Sequence, residues 1–356
     1  MTNNKIKVLV AEDSTVIRMF LVHMLESDPQ ISVIGAVADG QAALDFVKNN
    51  KPDVILMDIH MPRMDGFEAT RRIMETHAVP IVICSASSNA KDTVVTFRAM
   101  EAGAIACIEK PLGHTHEDFE VTAAHMLETV KLMSEVKVVR RTVRADLVAI
   151  KSKLEQWQNA PIEIKVIGIG ASTGGPPALQ TILSGLNKDF AVPILVVQHI
   201  APSFIAGMCD WLNQTTSLQV QVASHGITPL PGHVYLAPDD FHMGMGTSGK
   251  IILSREEPEN YLRPSVAFLF RSLAAIYGPN ALGILLTGMG RDGALELKAM
   301  KDHSAITIAQ DKESSVVHGM PGAAIAMGAA THVLPPERIA KALIALVNHR
   351  NDASRS

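Results

Sequence analysis

The sequence predicts an α/β protein built from two doubly wound domains joined by a linker. Three observations carry that expectation. Over the first ~110 residues, short apolar runs alternate with amphipathic segments at the spacing of βα units. From Glu163 onward the same alternation resumes. Between them, residues 117–160 change character, and Val130 to Leu154 is rich in Lys, Arg, Val and Glu. A chain of 356 residues accommodates two domains of ordinary size and a linker. The boundaries are placed at 1–125, 126–162 and 163–350.

Composition narrows the class. A hydrophobic content of 47% with 19% charged residues describes a soluble, core-forming protein. The net charge of −4 gives no bulk pull toward nucleic acid or a membrane surface. No apolar run reaches the length of a membrane helix. Met1-Thr2-Asn3-Asn4-Lys5 runs straight into a strand without a signal-peptide pattern, so a cytoplasmic protein is expected. Cys84, Cys107 and Cys209 are widely spaced and odd in number, against a disulfide framework or a zinc site. The basic cluster Lys137-Val138-Val139-Arg140-Arg141-Thr142-Val143-Arg144 reads as a solvated helix face, because Glu128, Glu135, Asp146 and Glu155 accompany it.

In the first domain, strands are expected at Lys5–Val10, Ile31–Val37, Val54–Met57, Ile81–Cys84 and Ile105–Ile108. Helical patterns fill 15–26, 40–49, 66–76 and 91–101, and a fifth helix begins near Asp118. In such a domain the functional groups gather at the C-terminal ends of the strands. Glu12 and Asp13 follow the first strand, and Asp58 follows the third, just before Met61-Pro62-Arg63-Met64-Asp65-Gly66. Ser85 ends the fourth, and Lys110, before Pro111, ends the fifth. Three carboxylates in one crevice repel one another unless a hard divalent cation sits among them, and oxygen ligands of this kind suit Mg²⁺. A cation beside a carboxylate, a lysine and a hydroxyl can hold a phosphoryl group while Asp58 attacks phosphorus. Each acid taken singly reads as a helix cap or a solvated loop charge. Five polar residues at successive strand ends do not.

Residues 5–125 resemble a response-regulator receiver domain, with a five-strand flavodoxin-like fold. The resemblance implies that Asp58 is the phospho-acceptor and that Glu12 and Asp13 join it as metal-site acids. It also implies Ser85 as the switch hydroxyl and Lys110 as the phosphate-sensing lysine. One departure is Cys107, where receivers usually carry an aromatic three residues before that lysine.

In the second domain, strands are expected at Lys165–Ile169, Pro193–Val197, His233–Ala237, Gly283–Thr287 and Ala305–Ala309, with shorter ones at Leu218–Ala223 and Lys250–Leu253. Helices are expected at 177–186, 203–214, 265–277, 293–302, 320–328 and 336–348. Strand–helix alternation calls for a largely parallel, Rossmann-like sheet. The stretch Gly168-Ile169-Gly170-Ala171-Ser172-Thr173-Gly174-Gly175 links the first of these strands to a helix opened by Pro176-Pro177. It fits a nucleophile elbow, and it also fits a phosphate-binding turn. The dinucleotide fingerprint needs glycine at 173, which is Thr, and an acid after the second strand, where Gln198-His199 stands.

Neighbouring strand ends can bring Ser172, His199 and Asp292 into one crevice. A serine hydroxyl is a weak nucleophile and needs a base; a histidine supplies it, and a carboxylate fixes the tautomer. Helix-opening loops at Thr173 and Met289 can offer backbone donors to an oxyanion. Singly, Ser172 could cap a helix, His199 could be a satisfied strand-end residue, and Asp292 could cap the helix starting at Gly293. Among the other histidines, His233 reads as a strand start and His242 as a loop residue at the edge of a substrate groove. His225, His303 and His318 have no metal-site spacing.

The chain as a whole resembles the chemotaxis protein-glutamate methylesterases, response regulators with a C-terminal serine hydrolase. Gly168–Gly175, Gln198-His199, Arg263-Pro264-Ser265-Val266, Leu286-Thr287-Gly288-Met289-Gly290-Arg291-Asp292-Gly293-Ala294 and Gly319-Met320-Pro321 carry the resemblance. It implies Ser172 as nucleophile, His199 as base, Asp292 as orienting acid, and Thr173 and Met289 at the oxyanion and substrate site. The implied substrates are methyl esters of glutamate side chains on chemoreceptors, with glutamine deamidation as a second activity. The implied cofactor is Mg²⁺ for receiver phosphorylation, with none for ester hydrolysis. The implied partners are chemoreceptors and a chemotaxis histidine kinase; nucleic acid and membrane insertion are excluded, and a monomer recruited to receptor arrays at the inner face of the membrane is expected. The family usually has Asp where this chain has Ala267.

A receiver ahead of a hydrolase makes sense if it covers the second site until phosphorylated, through the face around the fourth and fifth strands. A fragment from near residue 160 is then more active than the unphosphorylated chain. The rival readings are a nicotinamide-dependent reductase fused to a receiver, which predicts dinucleotide binding, and a receiver-linked binding module, which tolerates Ser172→Ala.

Overall fold

The computed structural model describes residues 5–85, 90–111, 119–136, 163–202 and 204–347. The basic cluster at 137–144 lies outside them. The chain divides into two compact units, Met1–Thr142 and Val143–Ser356.

The first unit alternates β1 (Ile6–Ala11), α1 (Thr15–Glu26), β2 (Ile31–Val37), α2 (Gly40–Asn49) and β3 (Val54–Met57). It continues through α3 (Gly66–Thr76), β4 (Ile81–Ser85), α4 (Ala90–Glu101), β5 (Ala106–Glu109) and α5 (Phe119–Ser134). The strands form one parallel sheet in the order β2-β1-β3-β4-β5. The central strands β3 and β4 are buried at every position, which is why they read as unbroken apolar runs. Helix starts are set by side chains: Asp39 accepts from the Ala42 N–H at 2.9 Å, and Asp65 from the Glu68 N–H at 2.8 Å. Helix α5 runs on through residues assigned above to the linker and buries Met126, Val130 and Met133.

The second unit opens with β6 (Val166–Ala171), α6 (Gly175–Ser184), β7 (Ile194–Gln198), α7 (Phe204–Thr215), β8 (Gln219–Val222) and β9 (His233–Leu236). A hairpin of β10 (His242–Met245) and β11 (Ile251–Ser254) follows. Then come α8 (Val266–Tyr277), β12 (Ala281–Leu285), α9 (Ala294–Asp302), β13 (Ile306–Gln310), α10 (Met320–Ala326), β14 (His332–Leu334) and α11 (Pro336–Val347). Seven strands form a parallel sheet in the order β14-β13-β12-β6-β7-β9-β8. The order reverses beside β6, between β12 and β7, and ligands of open α/β sheets bind in such crevices.

Helix α8 lies tight on β6. A Cβ at Gly170 would meet Val266 Cγ1 at 2.3 Å, so glycine there lets the helix start sit against the strand. Phe270 and Leu273 of α8 are fully buried in the same core. Truncating Phe270 to Ala would cost about 3–5 kcal/mol. This packing fixes where α8 begins, and the beginning of α8 turns out to hold a site residue.

Candidate functional site

Two clusters stand at strand ends, one in each unit. In the first, Glu12 follows β1, Asp58 follows β3, Ser85 ends β4 and Lys110 follows β5. Glu12 is 1% exposed and Asp58 4% exposed. The Lys110 ammonium reaches both, 2.8 Å from Glu12 Oε2 and 2.7 Å from Asp58 Oδ1. Burial acts to lower the Lys110 pKa, but the hydrogen bonds it donates to Asp58 and Glu12 outweigh this and hold the ammonium above its usual range. Burial likewise pushes the Glu12 carboxyl up, against the pull of Lys110. The Lys110 N–H donates to Ser85 O at 3.0 Å, which sets the two residues side by side.

Carboxylate oxygens of Glu12, Asp13 and Asp58 all lie within 4.8 Å of one another, a spacing a divalent cation can span. The donor set is all oxygen, which fits Mg²⁺ better than a softer metal. The loop that presents Asp58 depends on Gly66, because a Cβ there would stand 2.0 Å from Asp58 O. The Cys107 thiol is pushed well up by burial.

In the second unit, Ala171 pairs with Gln198 in the β6–β7 register, so Ser172 and His199 leave adjacent strands side by side. The His199 N–H donates to Ala171 O at 2.9 Å, and the Ser172 N–H donates to Thr287 O at 3.0 Å. The His199 Nε2 stands 3.1 Å from Asp292 Oδ2, within ion-pair reach. Asp292 is 4% exposed and saturated with donors. It accepts from the Val266 N–H at 2.6 Å, the Ser265 Oγ–H at 2.9 Å and the Ala267 N–H at 3.2 Å. Burial works to raise its pKa, but His199 and these donors prevail and hold the carboxyl below its ordinary value.

Some single-residue alternatives end here. Asp292 caps α8, far upstream in sequence, and not the helix that follows it, whose N-cap is Gly293. Ser172 does not cap α6, whose N-cap is Gly174. His242 is not a loop residue at a groove edge. It starts β10, is fully buried, stacks on Phe268 at 4.9 Å, and its Nδ1 accepts from the Ser265 N–H at 3.2 Å.

Thr173 and Met289 flank the pair on separate loops. The Thr173 carbonyl accepts from Thr287 Oγ1 at 2.9 Å, and Thr287 N–H donates to the Gln310 side chain at 2.8 Å. The carbonyl before Met289, Gly288 O, accepts from the Gly319 N–H at 3.1 Å and the Met320 N–H at 2.9 Å. Residues given no role from sequence alone are therefore built into the frame: Gln198, Ser265, Thr287 and Gln310. Ser265 carried a signal, since Ser after Pro264 and before an apolar helical run is an N-cap pattern. Ala267 keeps only its N–H in this frame, directed at Ser265 Oγ and Asp292.

Residues 167–343 match the CheB methylesterase family, and residues 8–117 match the response regulator receiver domain. The chain is 52% identical to a protein-glutamate methylesterase/protein-glutamine glutaminase of Nitrosospira multiformis over 98% of each chain. It is 51% identical to one from Geobacter metallireducens, over 96% of this chain and 99% of that one. Among solved structures, the CheB methylesterase catalytic domain of Thermotoga maritima is similar at 41% identity and a TM-score of 0.50, covering 52% of this chain and all of that one. These findings, with the strand-end clusters, establish that the chain belongs to the CheB methylesterase family in its form with an N-terminal receiver domain.

Proposed function

We propose that the chain hydrolyses methyl esters of glutamate side chains on chemoreceptors and deamidates glutamine side chains, and that phosphorylation of Asp58 raises this activity. The observation that carries the reading is the register that sets Ser172 beside His199, with the Asp292 carboxylate 3.1 Å from the imidazole.

In the proposed reaction Ser172 Oγ attacks the ester carbonyl carbon while His199 takes the hydroxyl proton. With Nε2 facing Asp292, Nδ1 is the nitrogen left for Ser172. Asp292 orients the ring and offsets the charge of the imidazolium. The oxyanion is held by the N–H groups of Thr173 and Met289. Collapse expels methanol, protonated by His199, and leaves an acyl-serine. Water then attacks with His199 as base, and glutamate is released with Ser172 restored. With a glutamine side chain the leaving group is ammonia, and the later steps are the same.

In the receiver, Glu12, Asp13 and Asp58 would hold Mg²⁺, which when bound offsets the charge of the transferring phosphoryl group. Asp58 Oδ accepts phosphorus from a chemotaxis histidine kinase, and Lys110 and Ser85 receive the added oxygens. The chain works as a monomer at receptor arrays. Among the described residues no helix is long and apolar enough to cross a membrane. The test is methanol release from methylated receptor membranes, with and without Mg²⁺ and a small phosphodonor. Release that rises with both supports the reading; no release from any methylated receptor overturns it.

A further inference from the structure

We infer that Gln198 is a positioning residue that locks the Ser172 turn to His199 and aims the Thr173 N–H at the reacting carbonyl; this rests on the serine-hydrolase reading above. Gln198 ends β7, after Ile194-Leu195-Val196-Val197, and every residue of that strand is buried. Its amide nitrogen donates twice, to Ser172 O at 2.9 Å and to His199 O at 2.8 Å. One side chain therefore ties the backbone of the nucleophile to the backbone of the base, across two strands.

The direction of these bonds matters. In a trans peptide the C=O and the following N–H point opposite ways. Gln198 is 3% exposed, so it holds Ser172 O from the buried side, and the Gly175 N–H donates to the same oxygen at 2.7 Å. The Thr173 N–H on the same peptide then faces the other way, toward the open side of the turn. The Met289 N–H is set by the same device: the preceding carbonyl, Gly288 O, is held by the Gly319 and Met320 N–H groups.

A second observation, independent of the first, argues that the amide is kept for this task. Its oxygen, Oε1, is buried and has no hydrogen-bond partner. It occupies space that only glycine at 175 leaves open, since a Cβ there would lie 2.2 Å from it. A buried orphan acceptor costs stability, and an apolar residue at the end of an apolar strand would avoid that cost. A neutral side chain long enough to reach both carbonyls with two N–H donors is glutamine, and the unpaired oxygen comes with it.

The test compares the full chain carrying Gln198→Met, Gln198→Glu or Ser172→Ala with the parent on methylated receptor membranes, at a temperature where circular dichroism shows all four folded. Gln198→Met keeps the length and loses both bonds. Its kcat should fall about 10- to 100-fold with little change in KM, because misplaced groups slow the step without weakening substrate binding. Gln198→Glu has no donor when ionised and one O–H when protonated. Its rate relative to the parent should rise as pH falls, whereas the Gln198→Met ratio stays flat. A merely structural role would lower the melting temperature and leave both the kcat per folded molecule and the flat ratio intact. Both variants within about threefold of the parent kcat, with no pH trend, would overturn the inference while Ser172→Ala inactivity left the serine reading standing. Activity retained by Ser172→Ala would overturn both. If Gln198→Met does not fold, the pH trend of Gln198→Glu decides alone.

Discussion

The two strand-end crevices use the same architecture for opposite electrostatics. Each lies where strand order reverses in a parallel sheet, the receiver site between β1 and β3 and the hydrolase site beside β6. The receiver crevice sets the carboxylates of Glu12, Asp13 and Asp58 against the Lys110 ammonium. Its charge is out of balance, and on the proposed reading a cation and a phosphoryl group complete it. The hydrolase crevice holds one carboxylate, Asp292, with donors already in place from Ser265, Val266 and Ala267. The carboxylate is held by these backbone and hydroxyl donors whatever His199 does. On the proposed reading, the switched site keeps carboxylates in excess of its one ammonium, and the turnover site fixes its carboxylate in advance.

That contrast can be broken at either end. The largest expected effect is at the nucleophile: Ser172→Ala should lower kcat by about 10⁶-fold, and adding His199→Ala should cost almost nothing more, because the groups act as a unit. Stopped-assay methanol release measures both, and additive losses would argue against a shared machine. Asp292→Asn should lower kcat by about 10⁴-fold, less than Ser172→Ala, since the histidine remains but is held in the wrong tautomer. An effect as small as tenfold would place the orienting group elsewhere. In the receiver, Asp58→Asn should leave basal hydrolysis intact and erase the rise with phosphodonor, a loss in the range of about 5- to 150-fold. A variant that still responds to phosphodonor would move the acceptor off Asp58.

Gly66→Ala probes how tightly the receiver site is built. The added Cβ would stand 2.0 Å from Asp58 O and force the backbone apart. A loss of about 1–3 kcal/mol in urea unfolding, with slower phosphorylation in Mg²⁺, is expected. The smallest effect is on pH. Asp292 has its pKa lowered from 3.8 in the folded chain, so its contribution to stability is fully present above that value. The contribution is lost as pH falls through the lower folded value. Unfolding midpoints of the parent should drop on acidification more than those of Asp292→Asn; parallel curves would mean that the carboxylate's bonds do not stabilise the fold.

Much of this was legible in the sequence, and the exceptions have physical causes. The buried parallel strands announced themselves as apolar runs, and the residues at their ends followed at once, Asp58, Ser172 and His199 among them. Strand β10 was missed because His242-Met243-Gly244-Met245 has no β-branched residue, carries a glycine, and follows two aspartates. That omission also misplaced His242. Strand β14 was missed because only three residues pair, at the sheet's edge. The hold of Ser265 and Val266 on Asp292 spans 27 and 26 residues, so no local pattern reveals it. The double duty of Gln198 was invisible for another reason. A polar residue beside a histidine suggests solvent, and only the packing of β7 puts its amide in the interior.

The hold of Asp292 on the first amides of α8 ties chemistry to breathing. Helix ends open first, on timescales that hydrogen exchange can follow. When the start of α8 frays, the Val266 and Ala267 amides become exchangeable, and at that moment the carboxylate beside His199 loses two of its three fixed donors. On the proposed serine-hydrolase reading, exchange at those two amides is thus a meter of how often the hydrolase is armed. A ligand that slows it would raise the armed fraction, with no atom of that ligand touching Ser172.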